Sequence, residues 1–193
     1  MEFDIVILAG GSSRRMGRDK AGIRLGGKTL LEHSLDNADT WGGKNILVAG
    51  QARPRVHAQY VPDPPGHESS SLLGLYAGLL ASSSPWVLFC GCDMPFIRRE
   101  VVAMLWVSKN CGGAVARWQR LQPLPGLYPR RAIQVIEAML AERRYHLANL
   151  LDRLAPGVVE EAKIAATDPQ GISFFNINSQ QELAQAALLF DES

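Results

Sequence analysis

This chain has few cysteines, few aromatic residues, no excess of charge of either sign and no long apolar run. Its three cysteines, Cys90, Cys92 and Cys111, form an odd, irregular set among 193 residues. That excludes a disulfide framework and fits a reducing compartment. The spacing of Cys90 and Cys92 suits neither a zinc knuckle nor a redox pair, and both read as small buried residues. His33, His57, His67 and His146 are scattered and give no metal signature. Lysine and arginine number 20 against 19 acids, a formal net charge of +1. Such balance speaks against a nucleic-acid coat or a membrane-surface protein. No apolar run approaches the roughly 20 residues that span a bilayer. Glu2 and Asp4 stand where a secretory signal would be basic. The expectation is a soluble, cytoplasmic protein that engages neither nucleic acid nor membrane.

What is present is material for a core. The chain is 47% hydrophobic and 20% charged, and its length suits one domain over residues 1–193. Apolar, β-rich runs predict strands over 3–9, 45–50, 56–61, 86–90, 112–118, 123–129 and 172–177. Helical spacing predicts helices over 28–38, 71–82, 99–109, 131–142, 146–154 and 179–190. The last opens with Ser179 and, three residues on, Glu182, the pattern of a capping box. Gly74 and Gly78 fall on one face of the 71–82 helix. Residues 62–71 read as an irregular surface loop. Alternation of strand and helix, with continuously apolar strands, predicts an α/β fold: a mainly parallel sheet with helices on both faces. Ligands in such sheets bind beyond the carboxyl ends of the strands. Three stretches fall there: 8–20, 61–71 and 91–96.

The first is "LAGGSSRRMGRDK", Leu8 to Lys20. Glycine directly after a buried strand allows a sharp turn and a close backbone approach, and successive N–H groups in such a turn can cradle phosphate oxygens. Arg15 and Lys20 would neutralise them, the arginine as a fork and the lysine as a point charge. Neither a Walker loop nor a GxGxxG fingerprint is present. A glycine turn carrying solvated cations is the alternative, and two glycines, two serines and spaced cations favour phosphate. The second is "VLFCGCDMPFI" (87–97), where Asp93 ends a buried strand. It can hold Mg²⁺ beside a triphosphate or cap the helix starting near Arg98, and the stretch alone leaves both open. Asn176 and Asn178, before the last helix, likewise suit turn and cap chemistry.

Together, "LAGGSSRRMGRDK", "CDMPF", "QPLPGLY" (122–128) and "FNINSQQEL" (175–183) closely resemble the molybdenum cofactor guanylyltransferases, the MobA-type enzymes. The resemblance runs from residue 5 to about 185, and the pattern LAGGxSxRMGxDK is met at every fixed position. It implies a three-layer, Rossmann-like fold of the nucleotide-diphospho-sugar transferase type. It implies transfer of GMP from GTP to molybdopterin with release of pyrophosphate, and Mg²⁺ as cofactor. Arg15, Lys20 and Asp93 would be catalytic, with Asp93 on the metal. Leu8, Ala9, Gly10, Gly11, Lys20, Asp63 and Asp93 would bind the nucleotide, and Asn176 and Asn178 would lie near the pterin. Arg143 or Arg144 would reach the molybdopterin phosphate. An accessory protein of cofactor synthesis or an acceptor molybdoenzyme would be a partner.

The sequence departs from that family at two places. Ser70 to Gly74 stand where many relatives read GPLAG, and Gly91 replaces a proline before Cys92. Two other readings are carried. One is a nucleotidyltransferase of the same fold that uses CTP on molybdopterin, or UTP or CTP on a sugar or alditol phosphate. Cytidylyl enzymes usually read LAAG, and a methyl group at position 10 would crowd the larger base. The other is a non-catalytic nucleotide-binding module, against which intact Arg15, Lys20 and Asp93 argue.

Overall fold

The structure is a computed structural model, and it describes residues 1–10, 19–53, 56–65 and 69–191. The chain begins with β1 (Asp4–Leu8). A hairpin of β2 (Arg24–Leu25) and β3 (Lys28–Thr29) turns at Gly26 and Gly27, both at positive φ, and leads into α1 (Leu30–Thr40). Next come β4 (Ile46–Ala49), β5 (Gln59–Val61), α2 (Ser71–Ala81), β6 (Trp86–Gly91) and α3 (Arg99–Ser108). β7 (Ala114–Trp118) and β8 (Arg120–Pro129) follow, then α4 (Ala132–Ala141) and α5 (Leu147–Leu154). β9 (Gly157–Val159), α6 (Glu161–Ala165) and α7 (Gln180–Asp191) complete the chain.

Seven strands form one sheet in the order β5-β4-β1-β6-β8-β7-β9. β5, β4, β1 and β6 are mutually parallel, β9 is parallel to β7, and β8 alone runs antiparallel to both its neighbours. β1 sits near the middle and is apolar on both faces, as a doubly covered strand must be. Ile5 and Ile7 pack with Leu31 and Ala38 of α1, and with Val101 and Leu105 of α3. Val6 faces the other way, toward α2, α4 and α5. Gly74 and Gly78 lie on that second face: a Cβ on either would come within 2.5–2.6 Å of Leu8 or Val6. Glycine there lets α2 lie close on β1, and an added methyl would overpack the contact by about 1–3 kcal/mol. At the amino end of β1, buried Asp4 accepts hydrogen bonds from Ser82, Ser84 and Asn45. Burial raises its pKa, and those bonds more than offset the rise, leaving it lowered.

The sheet and its covered faces agree with the sequence reading, and four details differ. The expected 56–61 strand is only Gln59–Val61. The β2–β3 hairpin, β9 and α6 were not anticipated, being elements of two to five residues with too short a pattern to read. Residues 172–177 are not a strand: Ile172–Phe174 form a 3-10 turn. There the buried Asp168 carboxylate accepts the backbone N–H groups of Ile172 and Ser173, which removes donors a ladder would need. The capping box before α7 is half as expected. Glu182 N–H donates to Ser179 Oγ, but the Glu182 carboxylate accepts from the N–H of Asn178. No helix among the described residues is long and apolar enough to cross a membrane.

Candidate active site

The parallel order places the ends of β1, β4, β5 and β6 along one edge. β1 and β6 run in register from Asp4 opposite Val87 to Leu8 opposite Gly91, and Cys92 N–H still donates to Leu8 C=O at 3.0 Å. Asp93 therefore leaves the sheet beside Ala9 and Gly10. Ser34 and Asn37 of α1 donate to the carbonyls of Cys92 and Pro95, which fixes the chain on either side of Asp93. The Asp93 side chain does not cap a helix. The first residue before α3 is Arg98, which makes no side-chain cap bond, and the Asp93 carboxylate is directed to Lys20 instead.

Lys20 opens a short 3-10 turn, Lys20–Gly22, whose N-cap is Asp19. Its Nζ donates to Asp93 Oδ2 at 2.9 Å and to Asn178 Oδ1 at 2.6 Å. Three distant parts of the chain thus meet on one cation. Ile177 N–H donates to Asp93 C=O at 2.9 Å, so the 176–178 segment is tied to the loop after β6 by backbone as well as side chain. Ile177 is fully buried among Leu25, Leu30 and Ala186, and Asn176 and Asn178 are half-buried on either side of it. The two asparagines alternate with Ile177 even without a ladder, but their amides do different work. Asn178 meets Lys20, whereas Asn176 donates to Phe174 C=O.

Of the other expected site residues, Leu8, Ala9 and Gly10 sit at the end of β1, where Ala9 N–H donates to Ala49 C=O. Asp63 follows β5 on the same edge, two strands from β1. Its Oδ2 accepts from Ser69 at 2.6 Å, and its Oδ1 is buried with no hydrogen-bond partner among the described residues. A buried carboxylate oxygen without a partner is costly and marks a place for an incoming donor. Gly11 and Arg15 lie outside the described residues, as does the rest of 11–18. Arg143 and Arg144 follow α4; Arg144 pairs with Glu142 at 3.4 Å, and no described contact ties either arginine to Lys20, Asp93 or Asn178.

Three features escaped the sequence reading. Gly91 leaves room for the Asp93 carboxylate as it is placed here: a Cβ would stand 2.3 Å from Asp93 Oδ1 and move that oxygen. Gly50, at φ +138°, lets the β4–β5 turn press on Ala9 and Gly10, because a Cβ would come within 3.0 Å of Gly10 N. Arg53, in that same turn, forks onto Asp19. The edge argument could have found it, since the 50–55 stretch also follows a predicted strand. Burial, helped by the charge of Asp93, pushes the Cys90 thiol up to about 12 and that of Cys92 higher still. Neither supplies a thiolate to the site.

A mainly parallel sheet with glycine, a lysine and a carboxylate gathered at one strand edge is the arrangement in which α/β proteins bind nucleotides. The comparisons narrow the class. A family model described as MobA-like NTP transferase domain matches residues 5–158, and the chain belongs to that family. It is 31% identical to the molybdenum cofactor guanylyltransferase of Aliivibrio fischeri, over 95% of each chain. It is 28% identical to that of Desulfosudis oleivorans, over 94% of this chain and 92% of the relative. The crystal structure of molybdopterin-guanine dinucleotide biosynthesis protein A from Archaeoglobus fulgidus superposes with a TM-score of 0.81 at 23% identity, over 99% of this chain and 100% of that one. The 2-C-methyl-D-erythritol 4-phosphate cytidylyltransferase of Thermus thermophilus gives 0.71 at 22% identity over 98% of both chains, a likeness of fold.

Proposed function

We infer that this chain transfers GMP from GTP to molybdopterin, making molybdopterin guanine dinucleotide and releasing pyrophosphate. The observation that carries the reading is Lys20 held between Asp93, on the nucleotide edge, and Asn178, on the segment given to the acceptor. A terminal phosphate oxygen of molybdopterin attacks the α-phosphorus of GTP. The new P–O bond forms as the bond to the β-phosphate bridging oxygen breaks, and pyrophosphate departs. Such a reaction asks the protein for positioning and charge neutralisation. Lys20, with Arg15, takes that work against the triphosphate. Leu8, Ala9, Gly10 and Gly11 bind the nucleotide, Asp63 offers it the oxygen that has no partner among the described residues, and Asn176 and Asn178 flank the pterin.

The donor set fits Mg²⁺ brought in with the nucleotide. Asp93 is a single hard oxygen donor, and no cluster of three His, Cys, Asp or Glu is present among the described residues; Mg²⁺ commonly takes one or two carboxylates and completes its shell with phosphates and water. Asp93 would hold the ion, which would supply positive charge against the phosphates.

Gly10 supports guanine. Among the described residues a Cβ there would meet Gly50 Cα at 3.5 Å and Ala49 O at 3.7 Å, ordinary contacts. Among the described residues nothing requires glycine at this position on steric grounds, and room for a larger base is the reason we propose. The reaction is placed in the cytoplasm, with the product passed to an accessory protein or an acceptor molybdoenzyme. Incubation with molybdopterin and each of the four nucleoside triphosphates tests the reading, with pyrophosphate release as the measurement. Release with GTP is expected; equal release with CTP or UTP would remove the base assignment, and none with any nucleotide would remove the activity.

A further inference from the structure

We propose that Arg53 is a positioning residue for Lys20, acting through Asp19; the proposal rests on the transferase reading above. Arg53 comes from the β4–β5 turn, outside every motif on which the family resemblance stands. Its Nε and one terminal nitrogen donate to the two Asp19 oxygens, at 2.9 Å each, a bidentate fork. The same terminal nitrogen also donates to Ala9 C=O, and the other donates to Gln51 C=O at 3.0 Å. The Arg53 side chain is only 16% exposed, whereas Asp19 is 58% exposed. One guanidinium therefore holds the last residue before Gly10 and the residue before Lys20 in a single grip.

Asp19 passes that grip on. Asp19 Oδ1, one of the two oxygens held by Arg53, also accepts Ala21 N–H at 3.3 Å, the cap of the turn that carries Lys20. The bonds from Arg53 hold the Asp19 carboxyl below its ordinary pKa, so it stays a charged acceptor throughout the neutral range. Lys20 then reaches Asp93 and Asn178 from a backbone fixed at both neighbours. Gly50 makes the arrangement possible, because only a residue without a side chain lets the β4–β5 turn lie against Ala9 and Gly10. Four of the five guanidinium N–H donors are directed to Asp19, Ala9 and Gln51, which makes Arg53 a brace for these segments first.

Steady-state kinetics of dinucleotide formation test this in R53A, R53K, D19N and the double variant R53A/D19N, with thermal melts of each. R53A should lower kcat by about 10- to 100-fold, the scale at which a small misplacement of a catalytic group is felt. KM for molybdopterin should stay within roughly two-fold. D19N should reproduce most of the loss, and the double variant should be no worse than the poorer single one, the non-additivity expected of residues acting in one chain. R53K keeps the charge and loses the fork, so it should recover little. Full rescue by lysine, additive losses in the double variant, or an unchanged kcat in R53A would each overturn the proposal. If R53A does not fold, R53K and D19N carry the same comparison. If the wild-type protein forms no dinucleotide, the transferase reading fails by itself. The positioning of Lys20 is then read from the GTP-induced shift in melting temperature, which should shrink in R53K and D19N and by equal shifts would be refuted.

Discussion

The two halves of the sheet are built differently and serve the site differently. On one side β5, β4, β1 and β6 are parallel, so four strand ends open on the same edge and each delivers a residue or turn to it: Asp63, Arg53, Gly10 and Asp93. On the other side β8 runs against β6 and β7 and turns its amino end to that edge, while β7 and β9 again run with β1 but deliver none of the residues expected in the site. That half reaches the site through an irregular segment, 175–178, fastened by Ile177 N–H on Asp93 C=O and by Asn178 on Lys20. The four parallel strands give the site short contributions from fixed positions; the other half supplies one long-range contribution that depends on its fastening. In the transferase reading, the first half handles the nucleotide and the second meets the acceptor.

If that division is right, variants in the two halves should fail in different ways. The largest effect is expected for Asp93→Ala, on the seam between them. Dinucleotide formation should fall by about 100- to 1,000-fold, the scale of losing a group that stabilises transition-state charge, while the melting temperature stays near that of the wild type. An active Asp93→Ala protein would break the comparison at its centre. Lys20→Ala should lower kcat/KM for GTP by about 10- to 100-fold, the worth of a charged hydrogen bond, with affinity and rate falling together. A normal rate would make Lys20 a surface cation. Asn178→Ala tests the other half. It should raise KM for molybdopterin by roughly tenfold and leave GTP binding, measured separately, nearly unchanged; a weakened GTP affinity alone would blur the division. The smallest change is expected for Gly10→Ala. The protein should fold and melt normally, and the ratio of GTP to CTP use should drop by a few-fold. An unaltered ratio would leave guanine selection to other residues.

Much of the first half was legible in the sequence because local patterns report local structure. The apolar run before Gly10, the lone Asp93 after a buried strand and the paired glycines of α2 can each be recognised from the residues written beside them. The strand-end argument then brought 8–20, 61–71 and 91–96 to one edge. What stayed hidden were relations between distant segments. Nothing around Arg53 announces that Gly50 turns it onto Asp19, and nothing in "FNIN" says that Asn178 meets Lys20. The expected strand over 172–177 failed for a different, local reason. Its apolar residues are real, but Asp168, buried a few positions earlier, captures their backbone donors.

The fastening of Ile177 and Asn178 has a consequence for the order in which the molecule becomes competent. During synthesis the parallel strands emerge early and can pair as they do so, whereas Lys20 must wait until residue 178, 158 positions later, has cleared the ribosome. A nascent chain would hold a formed sheet with an unfinished lysine environment, and its chemistry would start only when the late segment has closed back on the loop after β6.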